Sequence, residues 1–218
     1  RVNGQERDPR LSSRPGHRTA TSGDAAYSLH PPVLVSLAIV RSSPEHTPRS
    51  TIRSLALFTV ERFGRREAKF DIVHKAFDSV TPRATIIDGL CSRISLGAEL
   101  LVRLAPMPGD EVSSSRADTN TECLAPTDID LIRRNLPDLT ILPLTVTDQH
   151  LVVAGNSLGL DVPRSESALI RRSRRAPDTA IALWATYTAA FCRRPESNVL
   201  LAAFRAWRVM QLARPIPF

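Results

Sequence analysis

The chain has 218 residues, 42% of them hydrophobic and 23% charged, so it can build a packed core and global disorder is excluded. Its formal charge is +7 and its pI about 10.3, a balance that draws nucleic acid or an anionic surface rather than a basic partner. Three widely spaced cysteines, Cys91, Cys123 and Cys192, exclude a disulfide framework or a zinc knuckle, and no run reaches the roughly 20 apolar residues of a membrane-spanning helix.

The positive charge is almost purely arginine, since Lys69 and Lys75 are the only lysines among 29 basic residues. Guanidinium is always charged and offers a planar fork of donors that fits phosphate. A GC-rich genome writes the same excess without selection on function. The charge is also unevenly placed. Residues 1–105 carry 16 basic against 10 acidic side chains, residues 106–163 three arginines against nine acids, and residues 164–218 ten arginines against three acids. The order basic, acidic, basic suits head-to-tail assembly of copies. A first residue Arg1 in place of Met reads as processing or trimming.

Residues 1–31 are rich in Arg, Ser, Gly and Pro without an apolar period, and are expected to form a flexible arm. Pro31-Pro32 opens the apolar run Val33–Val40, a strand or a short buried helix, and Ser42–Arg49 is a proline-broken linker. From Thr51 the spacing of Ile52, Leu55, Thr59 and Phe63 predicts a helix, and Phe70, Val73, Phe77 and Val80 predict another, with Asp71 and Lys75 paired outside. Pro82 starts a third helix, whose stripe is Ile87, Leu90, Ile94, Ala98 and Leu101. Pro106–Pro126 reads as an acidic loop.

Thr127 with Asp130 resembles a capping box for a short helix to Leu136. Leu139–Val146 and His150–Ala154 alternate as a candidate β-hairpin, with Pro143 confining the first strand to an edge. Ser165–Arg175 is short and basic. Pro177–Cys192 and Glu196–Leu212 then form an αα-hairpin, the second helix turning Leu200, Ala203, Phe204, Trp207 and Met210 or Gln211 inward and Arg205 and Arg208 outward. The expected fold is therefore mainly α: an arm over 1–31 and one helical domain over 32–218, with an acidic loop at 106–126 and a small hairpin at 139–154.

Two short motifs invite chemistry. Gly155-Asn156-Ser157-Leu158-Gly159 fits G-x-S-x-G and resembles the nucleophile elbow of α/β-hydrolases, which implies Ser157 as nucleophile with an acid and then a histidine downstream. All five histidines, His17, His30, His46, His74 and His150, precede it. Extended to Leu160, the run resembles the GNSLGL stretch of kynureninases, which implies pyridoxal phosphate on a downstream lysine. No lysine follows Leu160, so no cofactor is expected, and no His or Cys spacing predicts a metal.

Arginine remains. Arg171, Arg172, Arg174 and Arg175 fall within five residues, Arg193 and Arg194 end the next helix, and Arg205 and Arg208 lie on the last. Each phosphate contact releases a condensed counterion, so such a set predicts salt-sensitive, sequence-independent binding of nucleic acid, RNA being favoured. The expectation is a non-enzymatic coat, nucleocapsid or ribonucleoprotein component that self-associates, in a virion or a reducing compartment. The alternatives are a helical protein-interaction module whose acidic and basic segments pair internally, and a serine hydrolase using Ser157.

Overall fold

A five-stranded mixed sheet, rather than a helical bundle, forms the centre of the molecule. The computed structural model describes residues 31–42, 51–64, 67–94, 97–105, 123–164 and 167–213. The N-terminal arm, the linker at 43–49 and most of the acidic loop, 106–122, lie outside the described residues.

The strands are β1 (Val33–Arg41), β2 (Ile52–Phe63), β3 (Glu67–Ala76), β4 (Leu100–Leu104) and β5 (Thr140–Leu144), in the order β3-β2-β1-β4-β5. The first three form an antiparallel meander, and β4 and β5 are added parallel to β1. Helices α1 (Arg83–Cys91) and α2 (Pro126–Asn135) supply the two crossovers and pack one face. The other face is covered by α3 (Asp148–Ser157), α4 (Leu169–Arg174), α5 (Ala176–Phe191) and α6 (Arg194–Ala213).

Because side chains alternate across a strand, β1 feeds both cores: Leu34, Ala38 and Val40 face α5, while Val35, Leu37 and Ile39 face α1 and α2. Ser36 is fully buried among the first set and donates to the Ala180 carbonyl at 2.8 Å, tying α5 to the sheet. Around it, Phe58, Phe70, Trp184, Phe204 and Trp207 form an aromatic cluster with centroids 5.4–6.3 Å apart, in which Phe58 and Phe70 stack while both meet Trp184 and Phe204 edge-to-face.

The mainly helical expectation fails for a common physical reason. Leu55, Ala56, Leu57 and Phe58 are all buried, because β2 is an interior strand covered on both faces. A continuous apolar run contains residues at three- and four-residue steps whatever its conformation, so helical spacing is not diagnostic there. The helix expected from Thr51 is thus β2, and the one around Phe70–Val80 is the edge strand β3, whose apolar residues divide between the faces, Phe70 and Ile72 on one and Val73, with Phe77 just past the strand end, on the other. The third helix is real but stops at Cys91, and its supposed stripe member Leu101 belongs to β4.

The hairpin at 139–154 is half right. β5 is an edge strand that accommodates Pro143, but His150–Ala154 lies in α3, whose first turn is capped by Thr147 Oγ1 accepting from the His150 amide at 3.3 Å. Likewise, the acid that returns a bond to the start of α2 is Asp128, accepting from the Ala125 amide at 3.3 Å, rather than Asp130. α5 and α6 sit where the sequence puts them, but neither Met210 nor Gln211 turns inward: both are exposed.

Candidate nucleic-acid interface

The sequence-predicted arginines are not one patch. α5 is 16 residues long, about 24 Å, and Arg174 and Arg175 precede it while Arg193 and Arg194 follow it. Several also have partners within the fold. Arg171 and Arg175 both bind Asp161, at 2.9 and 3.3 Å, and Arg175 also reaches Asp178 at 3.5 Å. Arg172 is buried. Arg205 and Arg208 donate to the carbonyls of Ser157 and Leu158, at 3.4 and 2.5 Å, so they satisfy the end of α3 instead of pointing away. Arg174, Arg193 and Arg194 are exposed.

What the fold does assemble is an arginine cluster that sequence reading missed, at the carboxyl ends of β1 and β4. Arg41 ends β1 and is buried; its Nη2 donates to Asp128 Oδ2 at 2.8 Å. Arg83, at the start of α1, donates through Nε to the other oxygen of the same carboxylate and through Nη2 to Thr127 Oγ1 at 3.1 Å. Asp128 itself is wholly buried in the first turn of α2. One carboxylate thus serves two guanidinium groups.

Arg103 of β4 points to the same side of the sheet. Its Nη1 donates to the Leu104 carbonyl at 3.0 Å, and among the described residues no carboxylate pairs with it. Burial lowers the affinity of the Arg41 guanidinium for its proton despite Asp128, and neighbouring Arg83 lowers it further. Burial lowers that of Arg103 too, with Arg133 acting in the same direction. Among the described residues, the Nε groups of Arg41, Arg53 and Arg103 are buried without a hydrogen-bond partner.

Across the same edge, on the opposite face, lies α4. Ser54, paired with Val40 at the end of β1, donates to the Ser173 carbonyl at 3.4 Å. That contact sets Arg172 and Arg174 beside the strand ends, with Arg53 one residue from Ser54 on β2. Of the 171–175 cluster, Arg172 and Arg174 therefore lie near this end of β1 and β2, on the face opposite Arg41, Arg83 and Arg103. No short motif announces this, because the residues are dispersed over 41–174. The one legible sign is an arginine ending each of two apolar runs, Arg41 and Arg103.

No family model, curated protein or solved structure matches the chain. Any functional reading therefore rests on this geometry.

The G-x-S-x-G run has a structural explanation. The Leu160 amide donates to Gly155 O at 2.9 Å and the Gly159 amide to Asn156 O at 3.0 Å, while Gly159 takes φ +67°. This pair of bonds with a left-handed glycine is the Schellman end of α3, not a strand-to-helix elbow. Ser157 Oγ donates to the Ala154 carbonyl at 2.7 Å. His150 lies two turns earlier on the same helix, about 10 Å along its axis, so it does not reach Ser157 as a base. Both line a cavity of about 520 Å³ over α5, with Val153, Ala185 and Ala189.

Among the described residues no three His, Cys, Asp or Glu side chains gather as metal ligands, and no helix is long and apolar enough to cross a membrane.

Proposed function

We propose that the chain binds the sugar-phosphate backbone of RNA, without reading sequence, along the carboxyl edge of its sheet. The observation that carries this reading is the pairing of Arg41 and Arg83 on Asp128 at the end of β1, with Arg53 at the facing start of β2, Arg103 on the same side of β4 and Arg174 across the edge on the opposite face; among the described residues Asp128 is the buried carboxylate there. In open α/β sheets the chain leaves adjacent parallel strands in opposite directions at one point, and a crevice opens there at the carboxyl ends. β1 and β4 are that pair, since β1 continues to β2 on one side and β4 to β5 on the other. A crevice lined by excess guanidinium groups accepts phosphate oxygens, with the first turns of α1 and α2 adding their positive ends.

The test is titration of the full chain with labelled poly-U across a salt series. Replacing Arg53, Arg83 and Arg174 with Gln is expected to weaken binding at low salt and to reduce the salt slope by about two, since each phosphate contact on a single strand contributes roughly 0.7. Replacing Arg193 and Arg194 with Gln, at the other end of α5, is expected to leave the slope within error. No binding by the wild-type chain at 50 mM salt, or equal losses from both variants, overturns the reading.

A further inference from the structure

Among the described residues β3 is paired on one side alone, with β2. It is an edge of ten residues, Glu67–Ala76, containing no proline. Folded proteins rarely leave so long an edge open, because its outward amides and carbonyls template another strand. Beside it, between the strand and α1, a cavity of about 520 Å³ is lined by Val73, Lys75, Phe77, Thr85 and Arg93. This gives side chains arriving on an added strand somewhere to go.

The charges on the strand select the occupant. Asp71, Val73 and Lys75 share one face, and among the described residues neither Asp71 nor Lys75 has an ion-pair partner. Lys75 instead lies 5.5 Å from the centre of the Phe77 ring. In an antiparallel pair of identical strands, residues directly opposite one another point to the same face, so a two-fold axis must pass through a residue position. Centred on Val73, the axis sets Asp71 opposite Lys75 twice and Lys69 opposite Phe77, with no like charges opposed. Centred on Asp71 it would oppose two carboxylates, and on Ile72 it would oppose Lys69 to Lys75. A register centred on Phe70 would recruit Lys69, which already binds Glu61 at 3.4 Å.

We propose that the chain dimerises by pairing β3 with β3 of a second copy, antiparallel about Val73, to make one continuous ten-stranded sheet. The cross-strand Asp71 and Lys75 pairs fix the register. This does not depend on the RNA reading, because β3 lies at the outer edge of the meander, away from the junction of β1 and β4.

The experiment is multi-angle light scattering and sedimentation of the full chain over a concentration series, free of nucleic acid. The wild type is expected to be a dimer, and Asp71→Lys, which opposes lysine to lysine twice, to weaken it about tenfold or more. The swap Asp71→Lys with Lys75→Asp is expected to restore the dimer, a rescue that general misfolding cannot produce. Hydrogen exchange should show β3 amides slowing as concentration rises in the wild type and in the swap. A monomeric wild type overturns the proposal, and so does a dimer indifferent to Asp71→Lys.

Discussion

Asp128, with none of its side chain exposed, accepts a hydrogen bond from Arg41 at 2.8 Å while Arg83 holds its other oxygen. The pair closes the end of β1 against the start of α2. Its two members are 87 residues apart in sequence, so the bond exists only once both crossovers are in place.

Asp128→Asn should therefore cost about 3–5 kcal/mol, because it leaves a buried guanidinium without a counter-charge. Replacing Arg41 with Met and Asp128 with Leu together should cost less than Asp128→Asn alone, since no buried charge is then stranded, Arg83 being half-exposed. Urea denaturation of the three proteins checks this. A double variant less stable than Asp128→Asn would show that the pair itself, rather than its completeness, is what stabilises the edge.

Trp207 packs against Phe58, Phe70 and Phe204, with centroids 5.6–6.3 Å apart. Trp207→Ala should cost about 3 kcal/mol and the fully buried Phe204→Ala more. Arg208→Ala, which sequence alone would place on an indifferent outer face, should cost about 1–2 kcal/mol, because its guanidinium holds the Leu158 carbonyl. Thermal melts that put Arg208→Ala within error of wild type would remove that capping role.

Gly155 has no room for a side chain: a Cβ there would stand 2.3 Å from Val162 Cγ2. Gly155→Ala should destabilise by about 1–3 kcal/mol, and Val162→Ala in the same chain should recover much of the loss by clearing the contact. The constraint is packing inside α3, since the left-handed backbone belongs to Gly159. Strictly additive losses would show that the clash is not the cause.

Burial pushes the Asp178 carboxyl above its usual 3.8, outweighing the Asp161 amide and Arg175, which favour its charge. A raised folded value means that the native state binds the proton more tightly than the unfolded state. The contribution of this group to stability is present below the unfolded value and is lost as pH rises through the folded one. Asp178→Asn should then raise the melting temperature at pH 7, with the gain vanishing towards pH 3.5. A loss at pH 7 would mean that the bonds to Arg175 and Asp161 outweigh desolvation.

The sequence by itself located what local spacing determines. The apolar helix after Pro177, the amphipathic helix carrying Phe204 and Trp207, the helix start at Pro82 and an edge strand able to hold Pro143 all stand near where it puts them. Cys91 and Cys192 are buried free thiols, as their apolar settings require, and burial raises the pKa of Cys192 to about 12. It misassigned β2, because a strand buried on both faces carries no alternation and its dense apolar run satisfies a helical template equally well, and β3, because Phe70 and Ile72 on one face and Val73 and Phe77 on the other together mimic helical spacing.

The arginine cluster at the end of β1 needed the tertiary structure altogether. Arg41, Arg83 and Arg103 are isolated in the chain and become neighbours of Asp128 or of one strand edge through parallel pairing of β1 with β4. Parallel strands are joined by crossovers of a dozen residues or more, so the groups gathered at their carboxyl ends are distant in sequence. The contiguous cluster at 171–175, conspicuous in the sequence, was partly consumed by Asp161, Asp178 and the core, because nearby charges of opposite sign on the packed surface claim exposed guanidinium groups first.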